Sequence, residues 1–126
     1  MRPIALDYWT QKTGLAYSVE GFCFAWKTVP TRLLLTDIER YISEKKAETL
    51  VIGMPYNIDG TISKHGKRVQ EFARKLEALI QIPIVLHDER LTTSEAEMAF
   101  DDMGVDGDLD AEAARLILVD YLKTLS

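Results

Sequence analysis

The chain has 126 residues, 47% of them hydrophobic and 28% charged, with 15 basic and 20 acidic side chains and a formal charge of −5. That length sets the expectation of one domain spanning 1–126, able to bury a core without disulfides or structural metals, and the composition excludes wholesale disorder. The acidic balance argues against a generally basic nucleic-acid coat but leaves room for a local basic patch.

The single cysteine, Cys23, excludes an intramolecular disulfide and any CxxC motif, and is expected to be a small core residue. The opening Met-Arg-Pro-Ile-Ala-Leu-Asp reaches a charge too early for a signal peptide. No apolar run approaches the roughly 20 residues of a membrane span. A cytoplasmic protein with no membrane partner is therefore expected.

Ile4 to Tyr8 reads as a short buried strand. Gly14 to Val19 and Phe22 to Val29 read as a hairpin turning at Glu20-Gly21. A helix beginning near Thr31 places Leu34, Leu35, Ile38 and Ile42 inward, with Glu39, Arg40, Glu44, Lys45 and Lys46 outward. Thr49 to Gly53 is a continuous apolar strand, as expected of a strand covered on both faces, and Pro55 stops it. PYNIDGT is turn chemistry. A second helix from about Ser63 to Ile80 buries Val69, Phe72, Ala73, Leu76, Leu79 and Ile80. Ile84 to His87 is the last expected strand. Thr92 or Thr93 caps a third helix with Ala96, Ala99 and Phe100 inward, and a final helix runs from about Leu109 to Leu125. Three strands followed by alternating units imply a mixed sheet with helices on its faces, and ligands in such sheets sit at the carboxyl ends of the strands.

Acids collect at those ends. Asp7 follows Ile4-Ala5-Leu6, and Asp88 and Glu89 follow Ile84-Val85-Leu86. A carboxylate leaving water is costly unless it is paired or metal-bound, so each either caps a nearby loop or helix or serves a shared site. Asp110 falls on the row Ala114, Leu118, Leu122 and so faces the sheet, whereas Asp108 and Glu112 are expected on a solvent row beside Arg115. Converging carboxylates suit a hard divalent cation, Mg²⁺ or Mn²⁺, as one ion or as two about 3.5–4 Å apart, which is chemistry for phosphodiester hydrolysis. A calcium loop starting at Asp106 is excluded, because its sixth and twelfth positions are Ala111 and Ile117.

VIGMPYNIDGT at 51–61, RVQEFARKL at 68–76, DERLTT at 88–93 and LDAEAARLILVDYL at 109–122 together resemble the YqgF/RuvX family of small RNase H-like proteins. The resemblance covers nearly the whole chain. It implies an α/β, RNase H-like fold, a five-stranded mixed sheet with helices on both faces. It implies a metal-dependent nuclease acting on the 5′ end of pre-16S rRNA or, in the alternative, on Holliday junctions. The family's acidic positions fall on Asp7, Glu89 and Asp110, expected to bind the metal, with Asp7 as the candidate bridging ligand. The chain departs from the family at Trp9, where glycine is usual, and in having only Gln11-Lys12 in place of a basic pair. Trp9 could narrow the entrance or stack on a base.

The run Lys64, Lys67, Arg68, Arg74 and Lys75 is either a solvated helix face or a phosphate track. Lys12 and Arg90 are candidates for the scissile or adjacent phosphate, and Asn57 and Asp59 either line the cleft or stabilise their own turn. His65 and His87 have no visible triad partners, and His87 is expected to pack at a strand end. Residues 95–112 hold eight acids and no Lys or Arg, which disfavours a phosphate backbone there. Together with Trp9 this keeps open a non-catalytic nucleic-acid-binding protein of the same fold. A monomer suits RNA processing, and a homodimer suits symmetric cleavage of branched DNA.

Overall fold

In the computed structural model, residues 2–89 and 108–125 are described. Arg90 and the helix expected from Thr92 or Thr93, with Ala96, Ala99 and Phe100, lie outside them. Five strands form one mixed sheet: β1 (Pro3–Tyr8), β2 (Lys12–Val19), β3 (Phe22–Pro30), β4 (Thr49–Met54) and β5 (Ile84–Asp88). Their spatial order is β3-β2-β1-β4-β5. β1 runs antiparallel to β2 and parallel to β4, and β4 runs parallel to β5. The carboxyl ends of β1, β4 and β5 therefore share one end of the sheet. The β2–β3 hairpin turns at Glu20-Gly21, with φ of 52° and 84°, the left-handed pair that matches hairpin twist.

Three helices are described. α1 (Leu34–Lys45) follows a 3-10 turn at Thr31–Leu33, later than expected, and ends at Lys46 in a left-handed conformation. α2 (Lys64–Glu77) starts where Ser63 accepts a hydrogen bond from the Gly66 N–H at 2.9 Å and so caps the helix. α3 (Leu109–Thr124) starts at Asp108, whose side chain accepts from the Ala111 N–H at 3.1 Å.

The sheet divides the core in two. Ile4, Leu6, Leu15, Leu50 and Ile52 pack on one face with Leu34 and Ile38 of α1 and Val69, Phe72 and Leu76 of α2. Ala5, Ala16 and Val51 pack on the other with Ala114, Ile117 and Leu118 of α3. Cover on both faces is why β4 is buried at every residue and reads as a continuous apolar run. The α3 face is paved with small residues, so α3 lies close across β2, β3, β1 and β4. That close approach decides where its N-terminal acids fall.

Two expectations are corrected. Leu79 lies beyond the end of α2 and is 42% exposed, because the helix stops at Glu77 before a further turn could bury it. Glu112 does not face solvent: it is buried, because α3 lies flat on the hairpin and Arg115 folds over its carboxylate, donating from Nε to Oε2 at 2.8 Å. A charge can sit there because the half-buried Arg115 guanidinium pairs with it and satisfies its oxygens.

Candidate metal and nucleic-acid site

Asp7 is the next-to-last residue of β1 and alternates with Leu6, so its side chain lies on the α3 face. Its register partner on β2 is Gly14. A Cβ at Gly14 would lie 2.0 Å from the backbone oxygen of Asp110. Only glycine lets the first turn of α3 rest there, and this contact brings Asp110 beside Asp7. On the other side, Leu6 pairs with Ile52, so the next residue of β4, Gly53, flanks Asp7. A Cβ at Gly53 would lie 2.4 Å from Glu89 Oε2. Glu89 follows β5 directly, and its backbone N–H extends the pairing to the Met54 carbonyl at 3.2 Å. The three acids therefore span β2, β1 and β4 at one end of the sheet, two of them laid over glycines.

The electrostatics agree with that placement. Asp7 is 5% exposed, and burial pushes its pKa from 3.8 to about 6. The Trp9 hydrogen bond opposes the rise, and the charge of Asp110 adds to it. Glu89 is 7% exposed and is pushed from 4.5 to about 8 by burial, then by the charges of Asp7 and Asp88. Asp110 is paired with Lys12, Nζ to Oδ2 at 3.0 Å. Burial of like charges is costly, and among the described residues neither Asp7 nor Glu89 has an ion-pair partner.

This donor set fits a hard divalent cation in its chemistry: oxygen ligands, like charge, and a shared low-dielectric corner. It is not a closed cage, since among the described residues no group of three His, Cys, Asp or Glu side chains is gathered for a metal. One oxygen of Asp7 accepts from Trp9 and one of Asp110 from Lys12.

Trp9 closes the site from the β1–β2 turn. Its Nε1–H donates to Asp7 Oδ2 at 3.0 Å. Its ring stacks on His65 of α2, with centroids 4.5 Å apart and planes 10° off parallel. The imidazole Nε2–H donates to the Tyr8 carbonyl at 2.9 Å, and Tyr8 in turn stacks on Phe72 at 4.5 Å. Burial, with the charge of Arg68, holds His65 below its ordinary pKa, and that same charge opposes the burial-driven rise of the Tyr8 phenol. Arg68 therefore stands beside the stack. Lys64, Lys67, Arg74 and Lys75 lie exposed along α2.

Other candidates are used elsewhere. The Asn57 amide donates to Thr61 Oγ1 at 2.9 Å, and Asp59 accepts from the Thr61 N–H at 2.9 Å, so both stabilise their own turn. His87 packs at the strand end as expected, its Nε2 2.6 Å from Asp120 Oδ2 and its ring edge-on to Tyr121, which ties β5 to α3. Asp108 caps α3 and also accepts from the Thr28 hydroxyl of β3. The parts that residue types alone did not expose are the structural roles of Gly14 and Gly53 and the bond from Trp9 to Asp7. Glycine inside a strand pattern is the available signal for the first two, since it marks a close approach.

The fold is similar to that of Thermus thermophilus RuvC. In complex with a Holliday junction substrate, that protein matches with a TM-score of 0.62 at 14% identity, covering 100% of this chain and 97% of that one. A second RuvC structure gives 0.59 at 13% identity, covering 98% and 96%. These likenesses show the fold, an RNase H-like α/β arrangement. Sequence relatives carry the assignment further. A "Putative pre-16S rRNA nuclease" of Picosynechococcus sp. is 35% identical, covering 98% of this chain and 95% of its own length. One of the same name from Pseudomonas fluorescens is 35% identical, covering 94% and 90%. The family model described as "RuvX: Holliday junction resolvase" matches residues 1–124, and the chain belongs to the RuvX family.

Proposed function

We propose that the protein is a divalent-metal-dependent nuclease that hydrolyses phosphodiester bonds, with precursor 16S rRNA as its substrate. The observation that carries this reading is the placement of Asp7, Glu89 and Asp110 at one sheet end, where burial first and neighbouring carboxylate charge second raise the pKa values of Asp7 and Glu89. The names of the relatives support the RNA substrate.

Asp7 and Glu89 would hold the cation, Mg²⁺ or Mn²⁺, with Asp110 joining when Lys12 exchanges that carboxylate for a phosphate. When bound, such a cation would polarise the phosphodiester and acidify a water. The chain's own part is positioning. Trp9 orients the Asp7 carboxylate. Gly14 leaves room for the first turn of α3, which carries Asp110, and Gly53 leaves room for the Glu89 carboxylate. Lys12 and Arg68 supply positive charge for phosphates on either side, contacts that place a strand without reading its sequence. Glu89, raised by burial to about 8, favours its protonated form at neutral pH, and a bound cation would favour the carboxylate.

The test is cleavage in Mn²⁺ of three substrates: a precursor-rRNA 5′ segment, single-stranded DNA and a four-way DNA junction. Wild type and Asp7→Asn are compared, with circular dichroism as the folding control. Cleavage of the RNA alone, lost in the folded variant, is the expected result. Cleavage of the junction alone would assign the protein to branched DNA, and no cleavage of any substrate would leave a binding protein of the same fold.

A further inference from the structure

We propose that Trp9 and His65 form a nucleobase-binding platform beside the acids, so that the protein takes its substrate as an unpaired strand. This rests on the nuclease reading only in taking nucleic acid as the ligand.

Trp9 is 42% exposed, yet it is fixed from several directions. Its indole N–H is bonded to Asp7 and one ring face lies on His65. Its backbone N–H donates to the Lys12 carbonyl at 3.2 Å, and its carbonyl accepts from Thr31 Oγ1 at 2.6 Å. Thr31 is itself buried and bonded to Thr13 Oγ1 at 2.8 Å. His65 is tied to Tyr8, and Tyr8 rests on Phe72 in the core. The result is a column of Trp9, His65, Tyr8 and Phe72 built from the core outward and ending in a large aromatic surface in water. A ring already held in place loses little freedom when a partner stacks on it, which is what makes a preorganised platform bind.

The surroundings select the partner. A plain apolar ligand would gain nothing from the flanking charges. A nucleotide gains from two kinds of neighbour: its base from the indole, and its phosphate from Arg68 or Lys12. Every base has a π-face, so the platform is tolerant of sequence. In a duplex those faces are covered by neighbouring pairs, so an unpaired nucleotide is the class that fits.

The experiment measures binding without cleavage, in EDTA, with fluorescein-labelled octamers of uridine and of deoxythymidine and with a 12-base-pair RNA duplex. Affinity is read by anisotropy, and unlabelled octamers are used to follow tryptophan emission. Wild-type emission should be quenched in proportion to octamer binding. Trp9→Ala should bind both octamers roughly 5- to 150-fold more weakly, the range of one base–aromatic stack, with duplex affinity unchanged. Trp9→Phe, which keeps a ring, should recover most of the affinity while losing the quenching, and it serves as the control for folding. Octamer affinity in Trp9→Ala equal to wild type, an equal loss on the duplex, or no octamer binding by wild type would each overturn the platform. Cleavage is scored separately. A platform that fails in a protein that cuts RNA leaves the nuclease reading intact, and a platform that holds in a protein that cuts nothing refutes the nuclease alone.

Discussion

Glu89→Gln replaces a buried acid by a neutral amide of the same shape. In the folded protein Glu89 has a pKa of about 8, against 4.5 for the free side chain. An acid raised in this direction binds more protons folded than unfolded. Its contribution to stability is whole below the unfolded value and is lost as pH rises through the folded one. The window therefore runs from 4.5 to about 8. At about 1.4 kcal/mol per unit this amounts to roughly 5 kcal/mol, of which about 4 kcal/mol falls between about pH 5 and about pH 9. Glutamine has no such titration. Wild type should therefore lose about 4 kcal/mol relative to the variant across that range, a shift on the order of 10 °C in Tm for a chain of this size. Asp7, raised from 3.8 to about 6, titrates in the same sense in both proteins and largely cancels in the difference. The assay is scanning calorimetry of both proteins in EDTA at each pH unit. A difference in Tm that stays flat with pH, or a wild type that gains on the variant as pH rises, would refute the assignment of Glu89 as a buried, unneutralised carboxyl.

Four further outcomes are expected. Gly14→Ala meets a backbone oxygen at 2.0 Å and must push α3 away, costing about 3 kcal/mol in urea unfolding. Gly53→Ala meets the ends of two side chains, Glu89 Oε2 at 2.4 Å and Ile117 Cδ1 at 2.6 Å, which can turn aside, so its cost should be nearer about 1 kcal/mol. The reverse order would contradict the close packing of α3 on β2. Asp108→Ala removes the cap of α3 and should cost about 1 kcal/mol, most of it restored in Asp108→Asn. Lys12→Ala frees Asp110 of its ion pair and should tighten Mn²⁺ binding in calorimetric titration, whereas unchanged or weaker binding would argue against Asp110 as a ligand.

Periodicity and composition located most of what is local. The apolar run of β4, the start of α2 and the β2–β3 turn are set by nearest neighbours along the chain, and each lies within a residue or two of its expected place, whereas α2 ends three residues before the expected Ile80. Asp7, Glu89 and Asp110 were legible as acids at strand ends and on an inward helical row, because a charge next to a buried run stands out against its surroundings. Tertiary structure decided how close they come. The approach depends on two glycines that face α3, and on a sheet face of small residues whose partner lies almost a hundred positions away. Eighty positions separate Thr28 from Asp108, which Thr28 joins in fixing the start of α3. Glu112 was misplaced for this reason: helical spacing gives a face, but which face is buried depends on the surface beneath it, here a hairpin broad enough to cover Glu112 and Arg115 together. Trp9 could be seen as unusual from its position alone. Only the folded chain brings His65, from a helix that begins more than fifty residues later, under its ring and turns an odd residue into the aromatic wall of the site.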